Sequence, residues 1–353
     1  MNDTGNGPLQ ETITLQKAKK LIQCMAHEQS LLLLSPPGVG KSDIVFQAAQ
    51  EAGLACRSLL GTQIAPEDVS GIPRIVGERS VFCPPRALLP ESSEPFCLFL
   101  DELPACAPDV QKAFYSLLLE RRIGEYALPA GTWVVAAGNR MQDRALVRAM
   151  SSALVNRVTL LNIRVDVDEW QQWAQRNGVR ADIRTFIHYL PDALARDVPA
   201  EPAPFSTPRA WASLSRALDL AQASGVLTAE TRRALAFGRV SPEDAAVYCA
   251  LAEEAIAPMR ALADYIADPK LLPRGEAARW FILDCIRCMV RDGRLDGVAP
   301  KAVNRFLRSL PQEHQLNLIG GLVDRWGALG ADRAMLALLK RVTGMPAAPA
   351  ASS

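Results

Sequence analysis

The chain has 353 residues, 49% of them hydrophobic and 22% charged, with a formal net charge of +1. That length and apolar content allow two or three domains around a sizeable core, and mixed, near-zero charge excludes the overall electrostatic footprint of a nucleic-acid or membrane-surface binder. No apolar run approaches the roughly 20 residues of a membrane span, the start MNDTGNGPLQET lacks the basic and apolar regions of a signal peptide, and eight scattered cysteines read as mostly buried thiols, so the cytoplasm is the expected compartment.

In chain order, residues 1–11 are polar and Gly-rich and are expected to be a disordered tail, as is the low-complexity end 344–353. Residues 14–28, TLQKAKKLIQCMAHE, carry apolar side chains at helical spacing. Leu31 to Ser42, LLLLSPPGVGKS, follows as a doubly buried strand that breaks into a glycine loop and then a helix-compatible run, KSDIVFQAAQEAG. Strand, glycine loop and helix make a phosphate cradle. The spacing fits the P-loop pattern, with Ser35 where the first glycine is usual. Gly38 and Gly40 let backbone N–H groups turn onto phosphate oxygens, Lys41 offers a charge to the β- and γ-phosphates, and the Ser42 hydroxyl can ligate Mg²⁺. The nucleotide-binding set is Pro37, Gly38, Val39, Gly40, Lys41, Ser42 and Asp43; the bland alternative is a plain Gly/Pro turn before a helix.

After a second short strand, ACRSLLG, turn residues around Arg74 to Phe82 predict a small inserted hairpin. Residues 95–102, PFCLFLDE, read as a buried strand ending in two acids. In a Walker B segment of this form Asp101 holds Mg²⁺ through water and Glu102 polarises the attacking water, and the distance of about 60 residues from the glycine loop leaves room for crossovers. A strand capped by surface acids is the alternative. Residues 109–122 predict one amphipathic helix, and 123–129 a second hairpin. Trp133 to Ala137 predict a strand with Asn139 just past its C-terminal edge, where parallel sheets bind ligands and where an amide can orient water.

Arg140, Arg144, Arg148 and Arg157 crowd the next span, which predicts a helix ending before the strand VTLLNIRV. Arg140 and Arg144 read as a solvated basic face. Arg157 closes the helix at the domain edge, where a neighbouring subunit could receive it or its own helix dipole could hold it. From Asp166 onward the pattern is helical throughout, and a Pro-rich connection delivers Arg209 into the first turn of a helix. Cys285 and Cys288 form one CxxC on a helical segment without the second pair a zinc site needs. His27, His188 and His314 are isolated in sequence and suit structural or surface roles.

With SPPGVGKS, FCLFLDE, AAGNR, SALVNRV and STPRAW in this order, residues 12–265 resemble an AAA+ ATPase, and PEDVSGIPRIVGERSVFCPPRALLP is similar to the helix-2 insertion of its MoxR-type, dynein-related branch. The resemblance implies an α/β, P-loop NTPase αβα core with a parallel sheet over 12–165 and an all-α lid over 166–267; the additional C-terminal helices that apolar spacing predicts over 268–343 lie outside it. It implies ATP and Mg²⁺ as ligands and the following roles: Lys41 and Ser42 as Walker A, Asp101 and Glu102 as Walker B, Asn139 as sensor 1, Arg157 as arginine finger and Arg209 as sensor 2. It also implies a homo-oligomeric, hexameric ring that remodels a protein substrate beside a partner with a von Willebrand factor A domain, with both hairpins in the channel presenting Ile75, Ile123 and Tyr126. A nucleic-acid motor or restriction-type subunit is the alternative, against which the neutral charge counts.

Overall fold

The computed structural model describes residues 11–90, 93–140, 143, 150–253, 262–295 and 298–337. The chain divides into two compact units. One holds the described residues up to Arg176 together with Ala195–Ala212, and the other holds Asn177–Leu194 and the described residues from Ser213 onward.

The first unit is an αβα sandwich. Its sheet has six strands, β1 (Thr12–Ile13), β2 (Leu31–Ser35), β3 (Ala55–Leu60), β6 (Phe96–Asp101), β9 (Trp133–Asn139) and β10 (Thr159–Ile163), all parallel and ordered β1-β10-β2-β9-β6-β3. Period-two alternation splits each central strand between two cores. Leu32 and Leu34, Leu98 and Leu100, and Val134 and Ala136 face one cluster; Leu31 and Leu33, Cys97 and Phe99, and Val135 and Ala137 face the other. This two-sided burial is why these strands read as unbroken apolar runs.

Two helices cover the second cluster, α1 (Leu15–Met25) through Ala18 and Ile22, and α2 (Lys41–Glu51) through Ile44, Val45, Ala48 and Ala49. The first cluster is covered by Val69 of the short α3 (Pro66–Ser70) and by α4 (Pro108–Ala113) and α5 (Tyr115–Glu120). The single helix expected over 109–122 is therefore two. At Phe114 the amide bonds back to the Gln111 carbonyl, and the buried ring turns the chain while apolar spacing continues on both sides. Arg121, left-handed at φ 54°, ends α5 and donates to the Thr132 and Ala26 carbonyls.

Both expected hairpins form. β4 (Ile72–Val76) pairs with β5 (Arg79–Cys83), and β7 (Arg122–Ile123) with β8 (Tyr126–Ala127). Each closes through a two-residue loop led by a positive-φ glycine, Gly77 or Gly124. Ile123, expected on the exposed face, is instead 3% exposed and packed into the first cluster. Ile75 and Tyr126 are exposed as expected. After α6 (Ser152–Val155) and β10, α7 (Val167–Arg176) completes this unit, its Glu169 accepting a 2.5 Å bond from the Thr14 hydroxyl at the start of α1.

The second unit is all helical: α8 (Ala181–Tyr189), most of α9 (Pro208–Ala223), α10 (Ala229–Phe237), α11 (Pro242–Glu253), α12 (Leu262–Ala267), α13 (Glu276–Asp292), α14 (Pro300–Ser309), α15 (Gln312–Ile319) and α16 (Val323–Ala328). Phe186 seats its ring against Tyr248 and Phe281, and the buried Trp326 donates to the Leu318 carbonyl at 2.9 Å. Cys285 is buried and Cys288 half-buried on α13, and burial raises the pKa of both thiols, as in packed, unreactive cysteines. His314 packs against Trp280, His188 against Tyr189, and His27 is exposed beside Glu28. Among the described residues no helix is long and apolar enough to cross a membrane. Both expected tails, Arg144 and Arg148, and much of the helix expected ahead of Arg157, lie outside the described residues.

Candidate functional site

Four neighbouring strands of the first unit, β2, β9, β6 and β3, end side by side. Ser35 pairs with Asn139, Leu100 with Ala136, and Leu60 with Asp101, so their C-terminal residues share one edge of the sheet. Between β2 and α2 the chain makes its glycine loop, with Gly38 at φ +72° and Gly40 at φ +110°. Val39 between them is 6% exposed and anchored in the core, so the loop presents backbone rather than side chains. A Cβ on Gly38 would stand 2.7 Å from the Thr207 hydroxyl and 3.4 Å from the Arg209 Cβ, and the Arg209 amide donates to the Gly38 carbonyl at 3.0 Å. Arg209 thus reaches the loop through the first turn of α9. Pro37 is half-buried, and Asp43 is exposed in the first turn of α2.

The Lys41 ammonium, 8% exposed, donates to Ser35 Oγ at 3.0 Å, the Pro36 carbonyl at 3.2 Å and Asn139 Oδ1 at 3.0 Å. Burial pulls its pKa down to about 8; Asp101 opposes that shift and Arg209 adds to it. The serine that departs from the P-loop pattern therefore has a specific partner. Its hydroxyl also donates to the Pro36 carbonyl at 2.8 Å.

Ser42 Oγ donates to Asp101 Oδ2 at 2.9 Å, and Asp101 Oδ1 accepts from the Glu102 amide at 3.0 Å. Glu102 holds φ 57°, ψ 31°, a conformation a non-glycine residue adopts only under local constraint. Its carboxylate accepts from Thr62 Oγ at 3.3 Å. Thr62 was not singled out from the sequence, although it follows the end of β3 at the very edge where ligand-contacting residues collect. Asn139, expected just beyond its strand, is the last residue of β9 itself. Arg140 is not a solvated cation: it grips Asp143, 7% exposed, with bonds of 2.7 to 3.2 Å.

Arg157 lies elsewhere. It precedes β10, whose first residue, Thr159, pairs with Leu31 at the start of β2, while the glycine loop follows the end of β2. Four residue steps of strand separate those ends by about 13 Å. The guanidinium lies 4.7 Å from the centre of the Tyr115 ring and donates to the Ala153 carbonyl at 2.7 Å, and its Nε has no partner. The structure thus brings Lys41, Ser42, Asp101, Glu102, Asn139 and Arg209 together and leaves Arg157 at the other end of the sheet.

This donor set fits a nucleoside triphosphate with Mg²⁺. Backbone N–H groups freed by two positive-φ glycines and one ammonium suit phosphate oxygens, and a hydroxyl beside a carboxylate suits a small hard cation. Bound Mg²⁺ would supply charge neutralisation on the phosphates. Ser42 and Asp101, whose side chains meet at 2.9 Å, are the residues that would hold it.

The sequence profile of the AAA domain (dynein-related subfamily) matches residues 30–158. No curated protein matches the sequence. Among solved structures, the RuvB Holliday junction branch migration motor of Thermotoga maritima is similar at 17% identity over 87% of each chain, with a TM-score of 0.37. NtrX from Brucella abortus is similar at 12% identity over 96% of this chain and 70% of its own, with a TM-score of 0.40. The phosphate loop and paired acids of the αβα unit, of P-loop NTPase fold, lie inside the segment that is similar to this AAA domain.

Proposed function

We propose that this protein is a Mg²⁺-dependent ATP hydrolase that works as a homo-oligomeric, hexameric ring of the MoxR type and uses turnover to remodel a partner protein in the cytoplasm. A companion with a von Willebrand factor A domain belongs to this reading. In it, the amides of residues 37–43 and Lys41 hold the phosphates, and Ser42 and Asp101 hold the metal. Glu102 takes a proton from the attacking water, Asn139 orients that water, and Arg209 adds charge above the loop.

The observation that carries the proposal is the separation of Arg157 from the loop of its own chain. At the opposite end of the sheet, an arginine resting on a ring and a carbonyl is out of reach of its own phosphates and available to a neighbour's. An arginine supplied between subunits is worth about 10³ to 10⁵ in rate. Mixing tests it. Glu102→Gln and Arg157→Ala are each expected to be inactive, yet equal amounts in one ring rebuild about one intact site in four if each site joins one chain's Glu102 to its neighbour's Arg157. No recovery in rings shown by sizing to have exchanged subunits would sink the shared site.

A further inference from the structure

The helix α14, PKAVNRFLRS, contains three cations and no acid. Its apolar stripe, Val303, Phe306 and Leu307, is buried, which turns Lys301, Arg305 and Arg308 to the other face, exposed and spaced over about 10 Å. Like charges one turn apart repel, and packing of the apolar stripe does not require them. Lys301 makes no hydrogen bond or ion pair with any described residue. Arg305 reaches the Ala267 carbonyl, and Arg308 reaches the Asp332 carboxylate at 2.7 Å.

A built wall faces this stripe. Asn304 donates to the carbonyls of Pro300 and Gly330 at 3.0 and 2.8 Å and accepts from the Asp332 amide at 2.7 Å, which clamps the 330–332 loop to the helix. Gly330, at φ +86°, lies so close that a Cβ there would stand 2.5 Å from Pro300, so only glycine permits the approach. A shallow groove of about 710 Å³, open to solvent, lies between loop and helix, lined by Lys301, Asn304, Arg305, Arg308, Ser309 and Asp332. Its single carboxylate is already held by Arg308 and the Ala334 amide.

We propose that this groove docks an extended acidic segment of a partner protein, independently of the nucleotide site. Three cations over about 10 Å are spanned by about three steps of extended chain at 3.3 Å each, so two carboxylates on alternate residues, about 6.6 Å apart, face the three cations together. A peptide fits better than a nucleic acid. Among the described residues no aromatic ring lines the groove to stack a base. Asp332 stands where a phosphodiester would bring unbroken negative charge, whereas a peptide offers it amide donors.

The test is fluorescence anisotropy on the full chain at low ionic strength, with a labelled octapeptide alternating Glu and Ser, its Gln-for-Glu counterpart, and a labelled oligothymidylate. The acidic peptide is expected to bind, and the Gln peptide not. Lys301→Glu, which removes no bond to a described residue, is expected to weaken binding by about tenfold or more while melting temperature and ATP turnover stay unchanged. Lys20→Glu, the same charge change at an exposed site on α1, is expected to leave binding within about twofold. Arg305→Glu adds to the loss where it folds, and Lys301→Glu suffices where it does not. Absence of acidic-peptide binding, equal loss in Lys20→Glu and Lys301→Glu, or undiminished binding in Lys301→Glu each overturns the proposal. So does oligothymidylate binding more tightly than the peptide and being lost with Lys301, which would make the groove a nucleic-acid site.

Discussion

The Lys41 ammonium donates to Asn139 Oδ1 at 3.0 Å, so the loop lysine and the amide ending the neighbouring strand are in direct contact. Burial holds this lysine at about 8, and a phosphate beside it favours the charged form and raises that value. Below about pH 8 the ammonium is charged before and after binding, so affinity is flat. Above it, binding takes up a proton, and ATP affinity is expected to fall by up to about tenfold per pH unit. The sign for stability follows from the same shift. The folded value lies below the ordinary 10.5, so the unfolded chain binds more protons between about pH 8 and 10.5, and this group makes the nucleotide-free protein more stable as pH rises through that window. Nucleotide titrations across this range check it, with Lys41→Arg, charged throughout, expected to be flat; the same fall in that variant would assign the effect to another group.

Lys41→Ala is expected to lose tight ATP binding, because it removes a phosphate contact. Glu102→Gln is expected to keep binding and lose turnover, because it removes only the carboxylate that takes a proton from water. Equilibrium titration beside a steady-state hydrolysis assay separates them, and equal affinity in the two variants would contradict both assignments.

Gly38→Ala meets two obstacles, a left-handed φ of +72° and the Thr207 hydroxyl at 2.7 Å. The conformation alone costs about 1 to 2 kcal/mol, so the melting transition of this unit is expected to fall by roughly 2 to 8 °C. Nucleotide affinity is expected to drop with it, because moving Thr207 also moves Arg209. Unchanged melting and unchanged affinity would mean the loop has slack that this packing does not suggest.

The two hairpins separate by burial. Ile123→Ala empties a site that is 3% exposed and is expected to destabilise by about 2 to 5 kcal/mol in denaturant melts. Ile75→Ala, at 80% exposure, is expected to stay within about 0.5 kcal/mol and to keep full ATP turnover. A loss of hydrolysis in Ile75→Ala as deep as in Glu102→Gln would tie that hairpin to the nucleotide site instead of to a partner.

What the sequence disclosed and what it withheld have a common physical origin. The central strands were legible because both faces of the sheet are covered, which writes burial as unbroken apolar runs in LLLL and FCLFL. The glycine loop was legible because its backbone geometry restricts residue choice. The two-residue β1, which pairs with β10, is too short to carry any periodicity. In β7–β8, Ile123 and Tyr126 are register partners with similar propensity, and only the tertiary neighbours put one inward and leave the other exposed. Thr62 and Tyr115 contact Glu102 and Arg157 across 40 and 42 positions of chain, a pairing no local pattern encodes.

Ser35 gives the loop lysine a partner of its own. Ser35 Oγ, the Pro36 carbonyl and Asn139 Oδ1 surround the ammonium, so Lys41 is not a bare cation. An arriving phosphate must trade one set of oxygens for another, so the net gain at Lys41 is the difference between the two sets. Affinity then rests on the remaining amides and the metal, and release of spent nucleotide meets a lysine with ready partners to return to.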